Sequence, residues 1–136
     1  MTPEDLIRKA EEAMTGAYAP YSGFFVGAAL LTKSGKVYTG CNIENAAHTP
    51  TCCAERTAFF KAVSQGEREF SAIAVCGGDH GAIRGEFPPC GVCRQVMMEF
   101  CEPDFSIYLD RGGGAYRTVT LEQLLPFGFS AGEHLR

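Results

Sequence analysis

Two short stretches carry the residue types and spacings that could do chemistry: Cys53-Ala54-Glu55-Arg56, and Pro88-Pro89-Cys90-Gly91-Val92-Cys93-Arg94. One pair of cysteines separated by two residues is ambiguous between redox, metal-binding and incidental roles. A third cysteine with a glutamate two residues beyond it narrows the choice, because a redox dithiol needs neither. Zinc takes sulfur and nitrogen ligands tetrahedrally, with three protein ligands where the site is catalytic and four where it is structural. Cys53, Cys90 and Cys93 supply three. Cys52 would point away from its neighbour and His48 falls in a loop, so the pattern favours an open catalytic zinc over a closed structural one. Glu55 is then close enough to take a proton from an activated water and deliver it to a leaving group.

Both stretches open helices. A helix N-terminus offers partial positive charge and free N–H groups, which favour thiolates. Three thiolates on one divalent ion leave a negative centre, and Arg56 is placed to offset it. Arg94 reads either as a second such cation or as a solvated surface arginine.

The elements that must position these residues follow from capping and periodicity. Thr2-Pro3-Glu4-Asp5 reads as a helix start, with apolar spacing through Met14 and a stop at Gly16. Residues 24–32 and 37–42 form a hairpin across Lys33-Ser34-Gly35-Lys36, and residues 43–51 form a loop. A helix runs from Cys53 to about Gln65. A strand over 72–76 leads into a glycine-rich loop over 77–89. A further helix spans about Cys90 to Cys101, with strands over 105–109 and 116–119 around a turn at Arg111–Gly114. Thr120 and Gln123 make a capping box for a short last helix. Strand–helix–strand–helix–strand in the middle demands at least one parallel pair, so a mixed five-stranded sheet in α/β/α layers is expected.

The 136 residues hold 12 basic and 16 acidic side chains, a net charge of −4. That balance lacks the electrostatic footprint of a nucleic-acid binder. No repeat or linker-like shift interrupts the chain, so one domain over 1–136 is expected. The charged N-terminus does not read as a signal peptide, and the uncharged run 13–32 is broken by glycine and proline, which rules against a membrane span. The cytoplasm is the expected compartment. An odd count of 7 cysteines fits reduced thiols, with Cys41, Cys76 and Cys101 reading as core residues.

The metal motif matches the zinc nucleobase deaminase signature in its three-cysteine form. The chain further resembles the small, homotetrameric cytidine deaminases along nearly its whole length. The resemblance rests on Tyr18-Ala19-Pro20-Tyr21-Ser22, Phe24–Leu30, Gly40-Cys41-Asn42-Ile43-Glu44-Asn45-Ala46, Cys53–Ala58, Pro89–Gln95 and Leu124-Leu125-Pro126. It implies one Zn²⁺ per chain on Cys53, Cys90 and Cys93, with Glu55 as proton shuttle and Arg56 bonded to the thiolates. It implies that Asn42 and Glu44 bind the ribose hydroxyls, that Phe24 stacks near the pyrimidine, and that the Ala54 N–H meets the base carbonyl. Phe129, with Phe127 close by, would reach a neighbouring subunit's pocket in a homotetramer with shared sites. The implied reaction converts cytidine and 2′-deoxycytidine to uridine and 2′-deoxyuridine with release of ammonia, in pyrimidine salvage. His48 departs from the aromatic residue usual at that place. A blasticidin-S-type deaminase and a zinc-stabilised binding module without turnover are the alternatives.

Overall fold

The computed structural model describes residues 1–135. The first helix, α1 (Pro3–Met14), starts as its sequence dictates: the Thr2 side chain accepts from the Asp5 N–H, and the Asp5 carboxylate accepts from the Thr2 N–H. Its apolar stripe, Leu6, Ile7, Ala10 and Met14, is buried. Strands β1 (Phe24–Thr32) and β2 (Val37–Cys41) form the expected antiparallel hairpin. Helix α2 (Ala54–Ser64) leads to β3 (Phe70–Asp79) and the two-residue β4 (Ala82–Ile83). Helix α3 (Gly91–Phe100) precedes β5 (Ser106–Gly112) and β6 (Ala115–Thr120), followed by the short α4 (Leu121–Leu124) and α5 (Ala131–His134).

The sheet runs β2-β1-β3-β5-β6, with β4 paired to β3 off this path. It therefore has six strands rather than the five expected. The difference lies at the glycines of 77–78. They look like loop residues, yet β1 is long enough to keep pairing with them, Val26 with Gly77 and Phe25 with Gly78. Strand β3 thus continues to Asp79, and Ala82–Ile83 folds back onto it. The expected parallel pair is β3 with β5, on either side of the α3 crossover.

Strand alternation gives the sheet two different faces. Ala29, Ala72, Ala74 and Cys76 make a shallow face that receives α1. Ala28, Leu30, Ile73, Val75, Ile107 and Leu109 make a deeper one, filled by Phe59 and Ala58 of α2 and Met97 of α3. The layering is α/β/α, as expected. Two glycines let the helices touch the sheet backbone. A Cβ on Gly27 would lie 2.0 Å from the Ala10 carbonyl oxygen of α1, and one on Gly40 would lie 2.5 Å from the Ala54 carbonyl oxygen of α2. Gly40 thereby sets the depth of the first turn of α2 from behind.

Candidate active site

Cysteines occupy the N-cap positions of both crossover helices, Cys53 before α2 and Cys90 before α3. A serine or aspartate there would turn its oxygen onto the first-turn N–H groups. Neither cysteine makes such a bond. Their sulfurs instead lie 3.8 Å apart, and Cys93, one turn into α3, has its sulfur 3.6 Å from that of Cys90. All three sulfurs lie within 4.8 Å of one another. A tetrahedral ion with bonds of about 2.3 Å separates its sulfur ligands by about 3.8 Å, so the donor set and its spacing fit zinc. Among the described residues no other histidine, cysteine, aspartate or glutamate joins the cluster. Cys52 accepts from the Thr57 hydroxyl at 3.6 Å, and His48 sits with φ 63° in the 43–51 loop.

The electrostatics of the cluster favour thiolate at Cys53. The Cys93 hydrogen bond, together with the Arg56 guanidinium donating at 3.3 Å, pulls the Cys53 thiol down to about 5. The same bond to Cys53, with burial, pushes the Cys93 thiol up. Contact with the Cys53 sulfur holds Arg56 firmly in its charged form. Glu55, on the first turn of α2, is only 4% exposed. Burial first, and the Cys53 charge second, push its carboxyl up to about 7.

Cys53, Cys90 and Glu55 open into one cavity of 270 Å³, lined also by Val26, Asn42, Glu44, Thr51, Ala54, Phe87 and Pro88. That is near the lower end of small-molecule pockets, about 300–1,000 Å³. The Asn42 side chain is held by β1, accepting from the Val26 N–H and donating to the Phe24 carbonyl, both at 2.8 Å. Glu44 accepts from the N–H groups of Tyr21 at 2.9 Å and Ser22 at 3.1 Å and from the Ser22 hydroxyl, which lowers its pKa. Phe24 does not line the cavity; its ring rests 6.0 Å from that of Phe87, which does. Phe129 lies outside this cavity. It is stacked on His134 at 4.8 Å, and its carbonyl accepts from the Gln95 amide. Phe127 is fully exposed. Arg94 takes neither role suggested by its position: its guanidinium donates to the Pro89 and Leu124 carbonyls, both at 2.7 Å. The sequence reading missed Phe87, because a lone phenylalanine in a glycine-rich stretch carries no periodicity to mark it.

Residues 1–109 match the family described as the cytidine and deoxycytidylate deaminase zinc-binding region. The chain is 50% identical over 130 residues to a cytidine deaminase of Sporosarcina psychrophila, a match covering 96% of this chain and 93% of the relative. It superposes on the crystal structure of a cytidine deaminase from Burkholderia pseudomallei with a TM-score of 0.87 at 49% identity, covering 95% of this chain and 100% of that one. A blasticidin-S deaminase of Bacillus cereus is more distant, 30% identical over 131 residues, with 93% of this chain and 91% of the relative covered. A cluster of three cysteines spaced to hold a metal, beside a buried carboxyl, and these matches agree: the chain belongs to the zinc-binding cytidine and deoxycytidylate deaminase family.

Proposed function

We propose that the chain hydrolyses cytidine and 2′-deoxycytidine to uridine and 2′-deoxyuridine with release of ammonia, serving pyrimidine salvage. The observation that carries this reading is the buried Glu55 carboxyl sharing one cavity with Cys53 and Cys90 of the three-thiolate cluster. Cys53, Cys90 and Cys93 would hold the zinc, and Arg56 would offset their charge. When bound, zinc supplies the Lewis acidity that makes water a competent nucleophile near neutral pH. Glu55 takes a proton from the water that adds at C4 and places it on N3. It then carries the second proton to the exocyclic amine, which leaves as ammonia. A carboxyl whose burial raises its affinity for protons suits both transfers.

Asn42 and Glu44 would bind the ribose hydroxyls, a reading supported by their side chains being fixed at the cavity wall. The Ala54 N–H would meet the base carbonyl, and Phe24, whose ring packs on that of Phe87 just outside the cavity lining, would flank the pyrimidine from there. Phe129 would enter the pocket of a neighbouring subunit in a cytoplasmic homotetramer, a reading that its exposure of 54% supports. No helix of the described chain is long and apolar enough to cross a membrane.

The test is the ultraviolet spectrum of zinc-loaded protein mixed with cytidine, and separately with blasticidin S. Conversion of cytidine to uridine, reduced about 10²–10⁴-fold or more in Glu55→Gln with zinc content unchanged, is the expected result. Turnover of blasticidin S alone would transfer the chain to that activity. Zinc at one ion per chain with no turnover of either would leave a binding module.

A further inference from the structure

Phe87 lines the cavity that holds Glu55, and its ring is fixed on two sides and its backbone on both flanks. On the sheet side the ring sits where Gly77 of β3 has no side chain: a Cβ there would lie 2.5 Å from Phe87 Cγ and under 3 Å from both Cδ atoms. On the next side it meets the Phe24 ring at 6.0 Å with the planes tilted by 55°, and the Arg84 guanidinium lies 5.8 Å from the Phe24 centroid. The backbone on either side is tied down. The Arg84 N–H donates to the Gly77 carbonyl, while the Glu86 carboxylate accepts from Arg117 at 3.0 Å and pairs with Arg111 at 3.3 Å. The Pro89 carbonyl is held by Arg94. A flexible wall would need none of these restraints.

We propose that Phe87, seated on Gly77, is a positioning residue that sets the width of the slot for the base and fixes the tilt of Phe24. The proposal rests on the nucleoside reading above. A planar, neutral heteroaromatic ring gains from an aromatic wall both by apolar burial and by ring geometry. An aliphatic side chain in the same seat supplies the first and loses the second. Gly77 pairs through its backbone with Val26 of the cavity wall, but an added Cβ there points at the Phe87 ring, so a substitution at Gly77 acts on the seat through that ring.

The experiment measures kcat, KM and bound zinc for Phe87→Leu, Phe87→Ala and Gly77→Ala, with cytidine and with 2′-deoxycytidine. In Phe87→Leu, KM rises roughly three- to tenfold while kcat and zinc content stay within about twofold. The factor is the same for both substrates, because the wall faces the base and not the sugar. Gly77→Ala displaces the ring and raises KM likewise. The double variant Gly77→Ala/Phe87→Ala, which relieves the clash, matches Phe87→Ala alone in KM and exceeds Gly77→Ala in stability. Unchanged KM in the Phe87 variants overturns the proposal, as does a loss of kcat and zinc in step with stability, or unequal factors for the two substrates. A wild-type chain inactive on cytidine sinks the nucleoside reading and this proposal with it; an active wild type with indifferent variants sinks the proposal alone.

Discussion

The carboxyl pair between α1 and β5 makes the stability of this fold depend on pH in a direction opposite to that of an ion pair. Asp110 is 1% exposed; its Oδ1 accepts from the Gly112 N–H, its Oδ2 is buried without a hydrogen-bond partner, and the Glu11 carboxyl of α1 is close enough to feel it. A hydrogen bond between the two acids requires one proton, and the contact with Asp110, aided by burial, raises Glu11 from an ordinary 4.5 to about 7. Arg8 on the same helix opposes the rise, and the thiol facing the pair from β3, Cys76, is pushed up to about 12 by its own burial. The folded chain therefore holds a proton that the unfolded chain releases. Its contribution is complete below the ordinary carboxyl range and is lost as pH climbs through about 7. At about 1.4 kcal/mol per pH unit the upper limit is roughly 3 kcal/mol; the half-buried Glu11 is partly screened by water, which leaves ~1–2 kcal/mol. Urea unfolding of the zinc-loaded protein from about pH 5 to about pH 8 should show this as a fall in midpoint of roughly 0.5–1 M. Glu11→Gln, whose amide donates to Asp110 Oδ2 at every pH, should remove that part of the slope and be the more stable protein at the alkaline end. Parallel profiles for wild type and Glu11→Gln would refute the shared proton.

Gly27→Ala should lower stability by ~3 kcal/mol or more, read as a drop in Tm, because its new methyl would lie 2.0 Å from the α1 backbone, which has nowhere to move. Arg56→Gln should weaken zinc binding about 10–100-fold in a chelator competition while leaving the secondary structure intact, since the thiolates lose their neighbouring cation. Cys90→Ser should fail to retain stoichiometric zinc through gel filtration and melt at lower temperature, because the ion ties together two helix starts 37 residues apart.

The motif chemistry was legible because it is local: a helix start, a cysteine and a carboxylate two residues on fix one another within a single turn. The α1 and α4 caps were legible for the same reason: Thr2 caps α1, with a reciprocal Asp5 bond beyond the simple cap expected, and Thr120 forms the capping box that its spacing implies. The parallel pairing of β3 with β5 followed from the order of elements. What escaped depends on partners distant in sequence. Gly77 and Gly78 join the sheet only because β1 is there to bond them. The two carbonyls that hold Arg94 come from opposite sides of α3 in the chain. Phe87 becomes part of the cavity only through Gly77 and Phe24. Helix α5 is a single turn capped by Ser130, too short to carry a period.

The contact of Gly40 with α2 has a consequence for how substrate range can diverge. Since the carbonyl of Ala54 and the amide of Ala58 press on the Gly40 backbone, no larger residue there can nudge Glu55 outward or inward by a fraction of an ångström. The position of the Glu55 carboxyl is closed to gradual adjustment from Gly40. Variation that alters which nucleosides fit has its freest ground in the connecting segments 42–52 and 84–89, which shape the cavity without carrying α2 with them. A directed-evolution library is best spent on those two segments, with the sheet beneath left as it is.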